Sequence, residues 1–182
     1  MGAYVTRRLV VMRHAKSAYP PGVLDHDRPL APRGVADARA AGEWVRDHVG
    51  PLDQVVVSSA RRTRGTWTLA AGAIGYIGAA GYDAASPGPL TIDPRVYDAS
   101  VTTLVEVLRE LPERVGTVLL LGHNPGCEDL VGRLAAARDP EAARLLAVKY
   151  PTSGIAVLDV HVAWGALEAG SATLRRFAVP RG

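Results

Sequence analysis

Arg13 and His14 follow directly on an apolar run, Leu9-Val10-Val11-Met12. A short run rich in β-branched residues reads as a buried strand. The carboxyl end of a strand is where open α/β sheets hold their ligands. The pattern recurs twice. Gln54-Val55-Val56-Val57-Ser58 leads into Ser59-Ala60-Arg61-Arg62-Thr63-Arg64, and Val118-Leu119-Leu120-Leu121-Gly122 leads into His123-Asn124-Pro125-Gly126. Taken singly, each piece is weak: a histidine after a strand is most often structural, and an arginine cluster also reads as a solvated basic face. Together they deliver two histidines and several arginines to one edge, which suits phosphate. One imidazole can attack phosphorus while the other donates a hydrogen bond to a phosphoryl oxygen. Guanidinium forks match phosphate geometry and keep their charge. Such a site works by positioning and charge stabilisation, and arginines that neutralise the charge leave no need for a metal or other cofactor. The attacking imidazole must be neutral, and nearby arginines favour that form.

The elements that must position these groups follow from periodicity. Strand one is predicted from about Arg8 to Arg13, followed by a polar, proline-bearing loop from Ala15 to Arg33. Ala36 to His48 reads as a helix with Ala40, Ala41, Trp44 and Val45 on its apolar stripe. The second strand ends near Ser58, and a helix begins near Ala60 with Arg61, Arg62 and Arg64 in its first turn. Cations there oppose the helix dipole, a conflict that a bound anion would reverse. A short strand is expected at Leu90-Thr91-Ile92 within the loop from Ala84 to Pro94. A helix is expected from Thr102 to Leu111, a strand from Thr117 to Leu121, and a helix from about Gly126 to Ala137. A helix from Glu141 to Val148 and strands from Gly154 to Val160 and Thr173 to Val179 complete the chain. Alternating strands and helices predict a three-layer α/β/α sandwich with a mostly parallel central sheet.

Composition bounds the rest. The chain has 182 residues, 48% of them hydrophobic, which is enough for one packed domain spanning 1–182 and too apolar for disorder. A net charge of +3 with dispersed basic residues and few aromatics does not suit nucleic acid. Cys127 is the sole cysteine, so no intrachain disulfide or cysteine zinc cluster can form, in keeping with a cytoplasmic protein. No signal-like apolar segment precedes the first strand, and Met1 to Thr6 matches only a loose myristoylation pattern. The uncharged stretch Gly65 to Tyr82 is weakly apolar and reads as a buried helix with a glycine-rich loop, not a membrane span.

As a set, these segments resemble the histidine phosphatase superfamily, the phosphoglycerate mutase-like family, and within it the small SixA-type phosphohistidine phosphatases. Met12-Arg13-His14-Ala15-Lys16-Ser17 resembles the opening Arg-His motif, with alanine where many members have glycine. Asp27-Arg28-Pro29-Leu30 and Gly34 resemble the SixA-type Arg-Pro-Leu segment. Ser58 through Arg62 to Thr66 resembles the Ser-x-x-x-Arg-x-x-x-Thr segment, and Gly122-His123-Asn124-Pro125 the second-histidine motif. Pro151-Thr152-Ser153-Gly154 is similar to the same subgroup. The resemblance implies a phosphoglycerate mutase-like fold. It implies His14 as a nucleophile forming a phosphohistidine intermediate, Arg13 and Arg62 as phosphoryl ligands, His123 completing the pocket, and Arg28 as a further phosphate ligand. The implied partner is a phosphorylated small molecule or a protein carrying phosphohistidine.

One departure and three rivals shape the expectation. Larger members carry a glutamate general acid before the third helix, and the matching stretch Asp93 to Asp98 puts Arg95 at that position. Asp25, Asp27, Asp98 and Glu128 are the carboxylates left to replace it. Without an acid, a phosphate- or phosphoprotein-binding module of the same fold is the alternative. Cys127 and Arg133 have the Cys-x5-Arg spacing of cysteine phosphatases, but Glu128 and Asp129 would repel a dianion there. Asp25-His26-Asp27 has metal-ligand residue types, yet reads as a solvated loop.

Overall fold

Strands buried on both faces need apolar residues at every position, and that is why β1 (Arg7–Arg13), β2 (Gln54–Ser58) and β4 (Thr117–Gly122) are near-continuous hydrophobic runs. The computed structural model describes residues 7–75 and 90–182. The N-terminal pattern Met1 to Thr6 and the glycine-rich stretch after Gly75 lie outside the described residues. Along each strand the side chains alternate between two cores. Leu9, Val11, Val56, Val118 and Leu120 face one core, while Val10, Met12, Val55, Val57, Leu119 and Leu121 face the other.

The sheet has seven strands in the order β3-β2-β4-β1-β6-β7-β5. The further strands are β3 (Leu90–Asp93), β5 (Ala135–Arg138), β6 (Ile155–Val160) and β7 (Ala172–Ala178). Pairing is parallel from β3 through β2 and β4 to β1 and again between β5 and β7. It is antiparallel where β6 meets β1 and β7. Helices α1 (Pro32–His48) and α2 (Arg61–Ile74) cover one face through Ala41, Val45, Trp67 and Ala71. Helices α3 (Val101–Arg109), α4 (Gly126–Leu134) and α5 (Pro140–Val148) cover the other through Leu104, Leu108, Leu130, Leu134 and Leu146. The result is the expected α/β/α sandwich with a mostly parallel sheet. No helix among the described residues is long and apolar enough to cross a membrane.

Two sequence expectations need correction. The helix predicted to run to Ala137 stops at Leu134, and Ala135–Arg138 is a strand at the sheet's edge. Alanines continue a helical pattern on paper. Here they pair with the open edge of β7, Ala135 opposite Ala172 and Arg138 opposite Leu174. Helix α1 begins four residues earlier than expected, at Pro32, a residue favoured in a first helical turn. Gly34 is required there by close approach. A Cβ at this position would lie 2.0 Å from the Lys16 carbonyl oxygen, where α1 crosses the loop leaving β1.

Candidate active site

The strand order β2-β4-β1 explains how three distant segments meet. Arg13 is level with Gly122 and Val57 with Leu121, so the carboxyl ends of three parallel strands finish side by side. His14 then bonds through its N–H to the Gly122 carbonyl at 3.0 Å. The rings of His14 and His123 stand 5.1 Å apart, tilted by 56°. His14, His123 and Arg62 are 7%, 8% and 6% exposed, so the pocket's walls are nearly dry.

His14 presents a neutral, oriented imidazole to the site. Its Nδ1 lies 2.7 Å from the Ala15 carbonyl oxygen, which can only accept, so Nδ1 carries the proton. The lone pair is therefore on Nε2, which has no protein partner among the described residues. Burial lowers the imidazole pKa to about 4, helped by the charges of Arg62, Arg13 and Arg28, so the ring is neutral near pH 7. Thr66 supports this loop: its hydroxyl accepts from the Ala15 N–H at 3.0 Å and donates to the Arg62 carbonyl at 2.7 Å. The loop before β6 grips it from the other side. Ser153, at φ 62°, donates its N–H to the Arg13 and His14 carbonyls.

His123 has both ring nitrogens engaged. Nδ1 accepts from Arg62 Nη2 at 3.3 Å, so Nε2 carries the proton and donates to Ser58 Oγ at 2.7 Å. Its pKa is lowered to about 3, chiefly by burial and then by His14 and Arg62. To donate to a phosphoryl oxygen, as the sequence reading expects, it must release one of these bonds. Ser58 was visible in the Ser-x-x-x-Arg-x-x-x-Thr spacing, but that spacing carries no sign of its partner.

The arginines separate by burial. Arg62 is inside the site while Arg61 and Arg64 in the same helical turn are exposed. Arg62 donates to the Asp25 carbonyl at 2.6 Å, to Asp25 Oδ2 at 3.0 Å and to His123. Arg13 donates through Nη1 to the Tyr150 carbonyl at 2.8 Å, and its buried Nε has no partner among the described residues. Arg28 is braced by the Ala18 carbonyl at 3.0 Å, by Asp25 Oδ1 at 2.6 Å and by Ser17 Oγ, with the Tyr19 ring 3.5 Å from its guanidinium carbon. The site thus presents a neutral imidazole with a free lone pair beside three guanidinium groups. That arrangement can attack an electrophilic centre bearing negative charge.

The carboxylates differ from the expectation. Arg95 is directed away, paired with Asp93 and Glu110 at 2.7 Å each. Asp25 is at the site, its carboxylate held between Arg28, Arg62 and the Tyr97 hydroxyl, which donates to Oδ2 at 2.8 Å. The Tyr97 hydrogen bond, with the Arg62 charge, lowers the Asp25 carboxyl pKa to about 2, so it holds no proton to give. Tyr97 was not singled out by sequence. It also sets its ring edge-on to His123 at 5.5 Å and to His26 at 4.9 Å. Asp27 and Asp98 are exposed, and Glu128 accepts from the Asn124 amide at 2.9 Å.

The rival centres dissolve. Cys127 is fully buried, its thiol pushed up to about 12 by that burial, and it contacts the Met12 carbonyl oxygen at 3.8 Å. It is a small core residue, not a nucleophile. Asp25 is committed to the arginines, and among the described residues no group of three His, Cys, Asp or Glu gathers to hold a metal.

Residues 9–80 match the family model of the Histidine phosphatase superfamily (branch 1). An uncharacterised protein of Mycobacterium tuberculosis is 41% identical over 172 residues, covering 93% of this chain and 100% of the relative. A solved structure described as a candidate phosphohistidine phosphatase SixA from Nakamurella multipartitia superposes with a TM-score of 0.74 at 30% identity, covering 96% of each chain. Its counterpart from Agrobacterium tumefaciens gives a TM-score of 0.74 at 27% identity over 96% of this chain and 98% of that one. At 15% identity and a TM-score of 0.58, phosphoglycerate mutase from Plasmodium falciparum shares the fold alone, covering 97% of this chain and 93% of its own.

Proposed function

This chain belongs to the histidine phosphatase superfamily and is of the SixA type, and within that family we propose that it is a metal-independent phosphatase that works through a phosphohistidine on His14. The observation that carries the reading is His14 itself: a neutral imidazole whose Nδ1–H is tied to the Ala15 carbonyl and whose Nε2 is unpartnered among arginines. Nε2 attacks phosphorus as the bond to the leaving atom breaks, and that atom keeps the electron pair and takes a proton from solvent. The phosphorylated ring becomes cationic, and the Ala15 carbonyl stabilises the charge on Nδ1–H. Water then attacks phosphorus, releasing phosphate and returning a neutral His14. Arg62, Arg13 and Arg28 neutralise the phosphoryl oxygens, and the charges of all three already act on the His14 ring. His123 completes the wall opposite His14.

The reading treats 1–182 as one catalytic domain of the cytoplasm. Its substrates are phosphohistidine on a protein or another small, exposed phosphate. The ionised state of Asp25, the carboxylate held at the site among the described residues, favours leaving groups that depart without strong acid help: amines, imidazole and phenols over simple alkoxides. It is also the observation behind a second reading, a phosphate-binding module without turnover. One experiment separates the two. The protein is mixed with phosphoramidate, quenched in alkali and examined for phosphate on His14, alongside a folded His14→Ala variant. A phosphoenzyme that turns over, and that His14→Ala abolishes, is the expected result. Binding of phosphate without any phosphoenzyme would favour the module, and turnover by folded His14→Ala would remove the covalent reading.

A further inference from the structure

The position of Asp25 bears on which phosphates the site accepts. In-line attack by His14 Nε2 drives the leaving group out on the far side of phosphorus. The histidines and Arg62 wall the inner side at less than a tenth exposed, whereas the Asp25 side chain is 53% exposed. The carboxylate therefore stands on the open side of the pocket, the side by which a bulky leaving group would enter and depart. It is fixed there by Arg28 Nη1 at 2.6 Å, Arg62 Nη2 at 3.0 Å and the Tyr97 hydroxyl at 2.8 Å, while its own backbone carbonyl takes Arg62 Nη1 at 2.6 Å. A charge fixed in this way cannot swing away from an incoming anion as a free surface carboxylate would.

We infer that Asp25 is a specificity-determining residue: it disfavours leaving groups that carry a second negative charge and favours those that carry or develop a positive one. The inference rests on the phosphatase reading above. The phosphoryl group is met by guanidinium groups, so its own charge is satisfied. A carboxylate attached to the leaving group is brought instead toward Asp25 and repelled, and an ammonium is attracted. For a bond from phosphorus to nitrogen, the leaving nitrogen gains positive character as it is protonated, which the same carboxylate stabilises. In this role Asp25 acts as a fixed anion and not as the proton donor.

The test compares three phenyl phosphates whose para position carries hydrogen, a carboxylate or an aminomethyl group, so that phenol leaving ability changes little while charge changes sign. At low ionic strength the native protein is expected to show kcat/KM for the aminomethyl substrate about three- to tenfold above that for the carboxylate substrate. Asp25→Asn keeps an oxygen acceptor for the arginines but loses the charge. It is expected to compress the ratio to less than about twofold, whatever it does to the absolute rates. Equal native rates for all three substrates would overturn the inference and leave the phosphatase reading intact. A folded Asp25→Asn protein that slows all three by the same factor would also overturn it, leaving Asp25 only to position the arginines. Should Asp25→Asn not fold by circular dichroism, the native ratio is followed in rising salt. A ratio that collapses supports a fixed charge at the mouth, and one that does not change refutes it. Absence of turnover on all three and on phosphoramidate would instead sink the phosphatase reading, and the inference with it.

Discussion

Replacing Arg62 with alanine is the sharpest perturbation of the proposed site. Its guanidinium reaches three acceptors: the Asp25 carbonyl, the Asp25 carboxylate and His123 Nδ1. It is 6% exposed, so little water competes for it. Loss of a charged ligand from a buried phosphoryl transition state costs about 2–5 kcal/mol. At 1.36 kcal/mol per decade, that is roughly a 30- to 5,000-fold fall in kcat/KM. The neighbours in the same helical turn, Arg61 and Arg64, are exposed, and Arg61→Ala and Arg64→Ala are expected to stay within about threefold of the native rate. Arg62→Lys retains a charge but offers a point in place of a fork, so it should fall between native and alanine. The assay is steady-state hydrolysis of an aryl phosphate by proteins checked for folding by circular dichroism. A scan in which Arg62→Ala is the mildest of the three alanine variants would refute the assignment of Arg62 to the phosphate. Equal losses at Arg61 and Arg62 would show that general positive field, not a directed ligand, supports turnover.

Four other outcomes follow. With its pKa at about 4, His14 remains about 90% neutral at pH 5, where an ordinary imidazole is about 3% neutral. Its acylation by diethylpyrocarbonate should therefore hold its rate to below pH 5, and loss of reactivity near pH 6.5 would contradict the buried neutral ring. Because the folded pKa lies below the unfolded one, the folded state binds fewer protons between about pH 4 and 6.5, so stability should fall as pH drops through that window, measured by urea unfolding. Gly34→Ala would place a Cβ 2.0 Å from the Lys16 carbonyl oxygen, and overpacking of that kind costs about 1–3 kcal/mol, roughly 3–10 °C in Tm by calorimetry. Cys127→Ser, or addition of a chelator, should leave turnover within about twofold, and a larger loss in either assay would revive the cysteine or metal reading.

What the sequence determined by itself is the part governed by local pattern. β1, β2 and β4 are buried on both faces, so each had to be written as an uninterrupted apolar run, and the residues following each run had to lie at a sheet edge. His14, His123 and the cluster Arg61, Arg62 and Arg64 could therefore be placed at one edge before any geometry was known, and the resemblance to the family motif singled out Arg62. Short-range rules also gave the helices, to within a few residues at their ends. β5 escaped them because Ala135-Ala136-Ala137 favours helix locally and becomes a strand only by pairing with β7, a partner whose sequence lies beyond another helix and strand. The tertiary structure alone decided the electrostatics of the mouth. Asp25, Arg62 and Tyr97 are separated by 37 and 72 residues along the chain, counted from Asp25, and nothing in their local spacing records that they share one hydrogen-bonded unit. It alone turned Arg95 outward to Glu110 and set Asp25 between Arg28, Arg62 and Tyr97, where its carboxyl pKa is lowered to about 2. Protonation state depends on burial and on neighbours brought from elsewhere, which are properties of the packed chain and not of any segment of it.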